Sequence, residues 1–170
     1  VFSVYRIGDI GIILAMWLLH HFWHENVTFL EMNRTAPLHA HLAQNSGVGF
    51  LIATLFYISA AAKSAQLPFS SWLPRAMEGP TPSSAIFYGS MSVHIGAFLL
   101  LRTLHFWENQ LYFKFGLVFA GLLTAVIATV ISRVQSTVKS QIAYASVAQI
   151  GLIFIEIAFG WENIALLHIL

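Results

Sequence analysis

The 170-residue chain contains no cysteine, and only 9% of its residues carry a formal charge. The absence of cysteine excludes disulfides, thiolate metal sites and cysteine nucleophiles. The net charge is only +1, which excludes the broad basic surface that nucleic-acid binding requires. Soluble domains carry about 25% charged residues, so the composition also excludes an ordinary soluble enzyme core.

Apolar sequence is abundant. Hydrophobic residues make up 58% of the chain, and the mean hydropathy is +0.74. Runs of about 20 apolar residues, which suffice to cross a hydrocarbon layer of about 30 Å, recur along it. We therefore predict an all-α, polytopic transmembrane helix bundle in a single transmembrane region. Because the last apolar run is unfinished, we expect a fragment of a longer chain. The predicted spans cover residues 7–23, 42–65, 79–103, 113–132 and 140–161, and a sixth begins at 163–170.

Proline is scarce, but four of the five prolines fall between residues 68 and 82. A straight helix cannot continue through such a run, because proline lacks an amide hydrogen and its ring clashes with the carbonyl four residues earlier. We expect a discontinuous helix with Lys63 on its first half and Pro68 at the break. Backbone that is broken at membrane depth must be buried in protein or line a wet cavity.

Lys63 lies at the end of the second span, directly before the expected break. An ammonium group at membrane depth costs about 2.5–3.5 kcal/mol on insertion scales. Desolvation also disfavours the charged form and so favours proton release. We interpret Lys63 as part of a proton or cation path. The alternative is a lysine whose flexible stem lets its charge reach the interface.

Other titratable residues lie within the spans. His94, in the third span, is either a proton relay or a neutral histidine hydrogen-bonded within the bundle. Tyr88 lies six residues earlier, about 120° away around the helix. Glu156, in the fifth span, is protonated, paired or close to the interface. Arg6 and Asp9 are three residues apart, which predicts a structural ion pair on one helix.

Five histidines cluster at and after the end of the first span: His20, His21, His24, His39 and His41. The HHxxH pattern of the first three occurs in membrane metalloenzymes. Histidines that flank Phe22 and Trp23 equally fit an interfacial aromatic belt. A histidine-based membrane metalloenzyme is therefore a further alternative, although we predict no metal and no cofactor.

Several stretches carry a resemblance to a known family. KSAQLPFSSWLPRAMEGPTP and the following SSAIFYGSMSVHIGAFLLLRT resemble the antiporter-like subunits of proton-pumping NADH:quinone oxidoreductase (complex I, the subunit 5 type) and the large subunit of Mrp sodium/proton antiporters. YRIGDIG and QSTVKSQIAYASVAQIG resemble further stretches of that family in the same order. The resemblance implies two inverted repeats, each with a broken helix, around a hydrated path. It also implies a subunit that moves protons, or exchanges a cation for protons, beside other membrane subunits, without a redox centre of its own.

The resemblance also implies roles for individual residues. Lys63 matches the proton-holding lysine of the family, and His168 matches the first of two histidines on the second broken helix. Lys139 matches the lysine of a Q-T-D-I-K-R stretch, whose Asp and Arg are replaced here by Thr137 and Ser140. The glutamate that modulates the first lysine belongs to a helix before the first span. Structural or ion-pair roles are assigned to four residues: Arg6, Asp9, Pro68 and Glu78.

Tyr88 marks the main departure from the family pattern. It occupies the position of a relay histidine, 25 residues after Lys63, so we expect His94 to take over the relay. FYGSMSVHIGAFLLLR resembles more closely the membrane subunit of the DAB-type inorganic-carbon accumulation complex. The alternative function is therefore a cation-coupled subunit with a zinc-bearing, carbonic-anhydrase-like partner. For either function we expect an integral protein of the lipid bilayer, in a bacterial inner membrane or an equivalent energy-coupling membrane, without a nucleic-acid partner.

Overall fold

The computed structural model describes residues 1–23, 46–84 and 91–170. Within these ranges all regular structure is helical, which confirms the predicted all-α fold. The helices are α1 (Phe2–Trp23), α2 (Ser46–Lys63), α3 (Trp72–Ala76), α4 (Thr81–Ser84), α5 (His94–Arg102), α6 (Leu104–Trp107), α7 (Leu111–Arg133), α8 (Val138–Ala158) and α9 (Glu162–Ile169).

Three of the described helices, α1, α7 and α8, are long and apolar enough to cross a membrane, and α2 is a shorter apolar helix. The predicted count of five spans stays a prediction. Residues 42–45 of the second span and 85–90 of the third lie outside the described residues.

Four of the described helices form two antiparallel pairs, α1 with α2 and α7 with α8, and small residues lie where the helices touch. A Cβ atom on Gly121 would lie 2.7 Å from the carbonyl oxygen of Gly151. Because lipid is as apolar as the helices, close backbone approach of this kind is a main source of helix association in a membrane. The short helix α5 packs on both pairs, against α2 and α8.

The break after Lys63 is present, as predicted. The amide of Gln66 donates to the carbonyl oxygen of Ala61 at 2.9 Å, and Ala65 has a left-handed φ of 52°. This is the Schellman type of helix end. The next helix, α3, begins only at Trp72. The helix therefore ends before Pro68, which lies in the connecting segment.

Helix α8 also ends in a Schellman motif. The amide of Trp161 donates to the carbonyl oxygen of Glu156 at 3.0 Å, and that of Gly160 donates to Ile157 at 2.9 Å. Gly160 supplies the left-handed residue, with a φ of 78°. The chain then turns into α9, which packs back against α8. This turn brings His168 beside side chains of α8.

Candidate functional site

Lys63 points from the end of α2 towards α1. Its Nζ donates to Oδ1 of Asp9 at 2.8 Å, and the two side chains are 16% and 39% exposed. The centroid of the Tyr5 ring lies 5.3 Å from the same nitrogen. The ammonium group is therefore held between a carboxylate and an aromatic ring, the kind of pairing expected of a charge within a membrane bundle.

A glycine allows α1 to approach the base of Lys63. A Cβ atom on Gly8 would lie 3.2 Å from Cβ of Ala62 and 3.6 Å from Cγ of Lys63. On the same face, the hydroxyl of Ser59 donates to the carbonyl oxygen of Gly8 at 2.7 Å. This close approach of α1 to α2 places the neighbouring residue, Asp9, within hydrogen-bonding distance of Lys63.

The contact between Asp9 and Lys63 changes the interpretation of the Arg6–Asp9 pair. Arg6 Nη1 lies 3.9 Å from Asp9 Oδ2 and the Arg6 side chain is 63% exposed, so this predicted pair is the longer of the two contacts of Asp9. Sequence reasoning missed the Lys63 partner because the two residues lie 54 positions apart. The sequence nevertheless contained an indication of this pair. An aspartate and a lysine in adjacent apolar spans are each costly when unpaired, and they reduce that cost by pairing with each other.

Polar groups at the break form hydrogen bonds that involve side chains, and two of these bonds pair backbone groups of the break itself, the carbonyl of Ala62 and the amide of Leu67. The indole of Trp72 donates to the carbonyl oxygen of Ala62 at 3.0 Å, and the hydroxyl of Ser64 donates to that of Val93 at 2.6 Å. The amide of Leu67 donates to Oγ1 of Thr124 at 3.3 Å. These bonds satisfy part of the requirement for broken backbone at membrane depth.

Gln66 carries a buried polar atom at the break. Its Nε2 donates to the carbonyl oxygens of Ser64 at 3.2 Å and of Val147 at 3.3 Å. Its Oε1 is buried and has no hydrogen-bond partner among the described residues. A buried acceptor of this kind is a suitable binding point for water.

His168 joins a second group of polar side chains. Its Nδ1 lies 2.9 Å from Oε1 of Glu156, and its Nε2 lies 3.1 Å from Oε1 of Gln149. Of the three states left open for Glu156, the structure therefore shows a paired side chain. The structure does not test the predicted role of His168 in a proton path.

Lys139 and Glu78 line a cleft of about 330 Å³ between α3 and the start of α8. The Nζ of Lys139 donates to the carbonyl oxygen of Gly79 at 2.9 Å. Within the described residues Glu78 makes no ion pair. Oγ1 of Thr137 accepts from the amide of Ser140 at 3.2 Å, so these two replacements of the family pattern cap α8.

Of the remaining candidate residues, some lie within the described residues and others do not. His94 is the first residue of α5 and is half-buried, whereas Tyr88 lies outside the described residues. The transfer of the relay from Tyr88 to His94 therefore stays a prediction. His24, His39 and His41 also lie outside the described residues. In the ranges that are described, no three metal-ligating side chains come together.

Comparisons with known proteins cover the whole chain or nearly all of it. The family model described as NADH:quinone oxidoreductase/Mrp antiporter, TM, matches residues 1–170. NADH-quinone oxidoreductase subunit L of Rhodobacter capsulatus is 35% identical over 173 residues, which cover 99% of this chain and 24% of the relative. NADH-ubiquinone oxidoreductase chain 5 of Pongo abelii is 38% identical over 167 residues, which cover 96% of this chain and 26% of the relative.

A solved structure also matches. A chain of the Mrp complex from Dietzia sp. DQ12-45-1b is similar with a TM-score of 0.88 and 27% sequence identity, over 98% of this chain and 18% of that chain. The chain thus spans about a quarter of the length of the curated relatives described above.

Proposed function

The chain belongs to the NADH:quinone oxidoreductase/Mrp antiporter transmembrane family, and from that premise we propose that it is the proton-conducting part of an antiporter-like membrane subunit. It moves protons, or exchanges a cation for protons, and works beside other membrane subunits. Its relatives include quinone oxidoreductase chains and a chain of an Mrp complex. They do not favour the inorganic-carbon alternative and lend no support to a zinc-bearing partner. The bacterial inner membrane stays our proposal for its location.

The contact between Lys63 and Asp9 is the observation that carries this proposal. A proton that leaves Lys63 leaves Asp9 as an unpaired carboxylate at membrane depth, which is costly. Release is therefore favoured when another proton or cation reaches Asp9. The 2.8 Å contact couples the two binding events, and an antiporter requires such coupling.

We infer that the cation or proton reaches the pair from the side of Asp9. Asp9 is more exposed than Lys63, at 39% against 16%. A cation or hydrated proton can therefore reach the carboxylate first, while the ammonium group lies closer to the break at residues 64–71. We propose that protons pass between Lys63 and water held at the break, where Oε1 of Gln66 is a buried acceptor.

The test is proton flux into vesicles that contain the full-length subunit in its assembled complex. Lys63→Ala removes the carrier and should abolish flux. Lys63→Arg keeps the charge beside Asp9 but should also fail, because a guanidinium does not release its proton at accessible pH. Lys114→Ala, which changes a lysine in the first part of α7, is the matched control and should leave flux unchanged. Full flux in Lys63→Ala would contradict the proposal.

A further inference from the structure

His168 lies between two side chains of α8, with one at each ring nitrogen. Gln149 and Glu156 are seven residues apart, about two helical turns, so they share one face of the helix. His168 reaches them from α9 at 3.1 Å and 2.9 Å. The histidine side chain is 30% exposed and the glutamate side chain is 18% exposed.

The two contacts restrict where protons can lie. An amide oxygen can only accept, so the contact with Oε1 of Gln149 requires a hydrogen on Nε2 of His168. At the other nitrogen, either Nδ1 donates to the Glu156 carboxylate or a protonated Glu156 donates to Nδ1. If neither atom carried a proton, two lone pairs would face each other at 2.9 Å. The geometry therefore requires one proton between Nδ1 and Oε1.

We propose that Glu156 and His168 form a second proton-holding pair of this subunit, in which Glu156 takes the proton from Nδ1 and passes it to water. In the first step the Nδ1–H bond breaks and the Oε1–H bond forms, so the pair keeps its net charge. In the second step the carboxylic acid gives a proton to a water molecule, and a proton from the other side of the path returns to Nδ1. This inference rests on the proposed function, because it adds an exchange point to the same path.

The second carboxylate oxygen of Glu156, Oε2, offers a route by which the proton can leave the pair. Oε2 is buried and has no hydrogen-bond partner among the described residues. An unpaired carboxylate oxygen in such a place is costly, whereas a bound water would satisfy it. The proton of a carboxylic acid can lie on either oxygen, so rotation or exchange at Oε2 connects the histidine to that water.

A purely structural role explains the pair less well. The bonds of Trp161 and Gly160 to the end of α8 already fix the turn into α9, through the backbone alone. A carboxylate in a helix that is apolar enough to cross a membrane destabilises that helix, so a single additional contact between α8 and α9 does not account for Glu156. His105 and Glu108 provide a comparison within the chain. These two residues are three positions apart in the sequence, and Nδ1 of His105 lies 3.2 Å from Oε2 of Glu108. Both side chains are about 40% exposed.

The experiment compares variants of the full-length subunit in its assembled complex. Glu156→Gln keeps the size and the hydrogen bond but cannot take a proton, so proton flux into vesicles should fall about tenfold or more. Glu156→Asp restores a carboxylate and should recover part of the flux. Glu108→Gln is the matched control, since it changes the carboxylate of the exposed pair, and should leave flux at the wild-type level.

Infrared difference spectra provide a readout that a structural role would not move. A carboxylic-acid band should appear in the wild type as the pair is loaded with protons, and should be missing in Glu156→Gln. Wild-type flux in Glu156→Gln, or an unchanged band, would overturn the inference. If Glu156→Gln does not assemble, Gln149→Leu replaces it. That variant removes the acceptor that fixes the hydrogen on Nε2, so flux should fall several-fold, and unchanged flux would overturn the inference.

The two proposals fail in different ways. Loss of flux in Lys63→Ala together with wild-type flux in Glu156→Gln would remove only the second pair. Wild-type flux in Lys63→Ala would instead refute the proposed function.

Discussion

Gly96 lies where α5 crosses the end of α2, and replacing it with alanine tests that crossing. A Cβ atom on Gly96 would overlap Oγ of Ser64 and the carbonyl oxygen of Ala60, and would lie 3.0 Å from the carbonyl carbon of Ala60. Neither group can move freely. The hydroxyl of Ser64 donates to Val93 at 2.6 Å, and the carbonyl of Ala60 accepts from the amide of Ser64 at 2.8 Å.

The expected size of the effect follows from three contributions. Inserting a methyl group into a packed contact costs about 1–3 kcal/mol. Loss of the Ser64–Val93 hydrogen bond adds about 0.5–1.5 kcal/mol. The higher helix propensity of alanine offsets about 1 kcal/mol of this loss of stability. We therefore expect Gly96→Ala to lower the free energy of unfolding by about 0.5–3.5 kcal/mol.

The assay is the thermal unfolding midpoint of the purified full-length protein in detergent. The control is Gly116→Ala on α7, where an added Cβ would meet no described atom within 4 Å. The control should be neutral, or stabilising by about 1 kcal/mol at most. Because Ser64 adjoins Lys63, proton flux should also fall in Gly96→Ala. If the two variants unfolded at the same temperature, the inferred close approach of α5 to α2 would be wrong.

Two further predictions concern α1 and the turn before α9. Asp9→Asn should lower proton flux because it removes the carboxylate 2.8 Å from Lys63, whereas Arg6→Gln should stay near wild type, since its 3.9 Å contact is exposed and worth at most about 1 kcal/mol. Equal loss in both variants, in the same vesicle assay, would contradict this order. Gly160→Ala should cost about 1–2 kcal/mol, seen as a lower unfolding midpoint, because alanine must then adopt a φ of 78°. Gly47→Ala, in the first turn of α2 with no described atom within 4 Å of the added Cβ, should not lower the midpoint, and equal midpoints would refute the assigned helix end.

The sequence was sufficient to predict features that depend on local chemistry. A proline run cannot continue a helix, so the break after Lys63 was predictable. A lysine that ends an apolar run needs a partner, so a partner for Lys63 was expected, although its identity was not predicted. The partner of Asp9 was less predictable, because Asp9 lies 54 positions before Lys63 and the sequence indicated Arg6 as its ion-pair partner.

Contacts between helices were not predictable in the same way. The partner of Glu156 depends on the turn at Gly160, which folds α9 back on α8. The pairing of Gln66 with Val147 likewise depends on how α8 packs against the break. Periodicity identifies a helix and its apolar face, but it does not specify which polar groups on two faces meet.

The alanine at the bend after α2 has a consequence for stiffness. Glycine usually occupies the left-handed position of such a helix end, and at Gly160 it does. At Ala65 the side chain is fully buried, and its methyl group narrows the range of backbone angles that the bend can adopt. A glycine there would leave the unfolded chain about 0.4–1 kcal/mol more conformational entropy to lose. Ala65 thus restricts the direction in which the chain leaves α2 after Lys63.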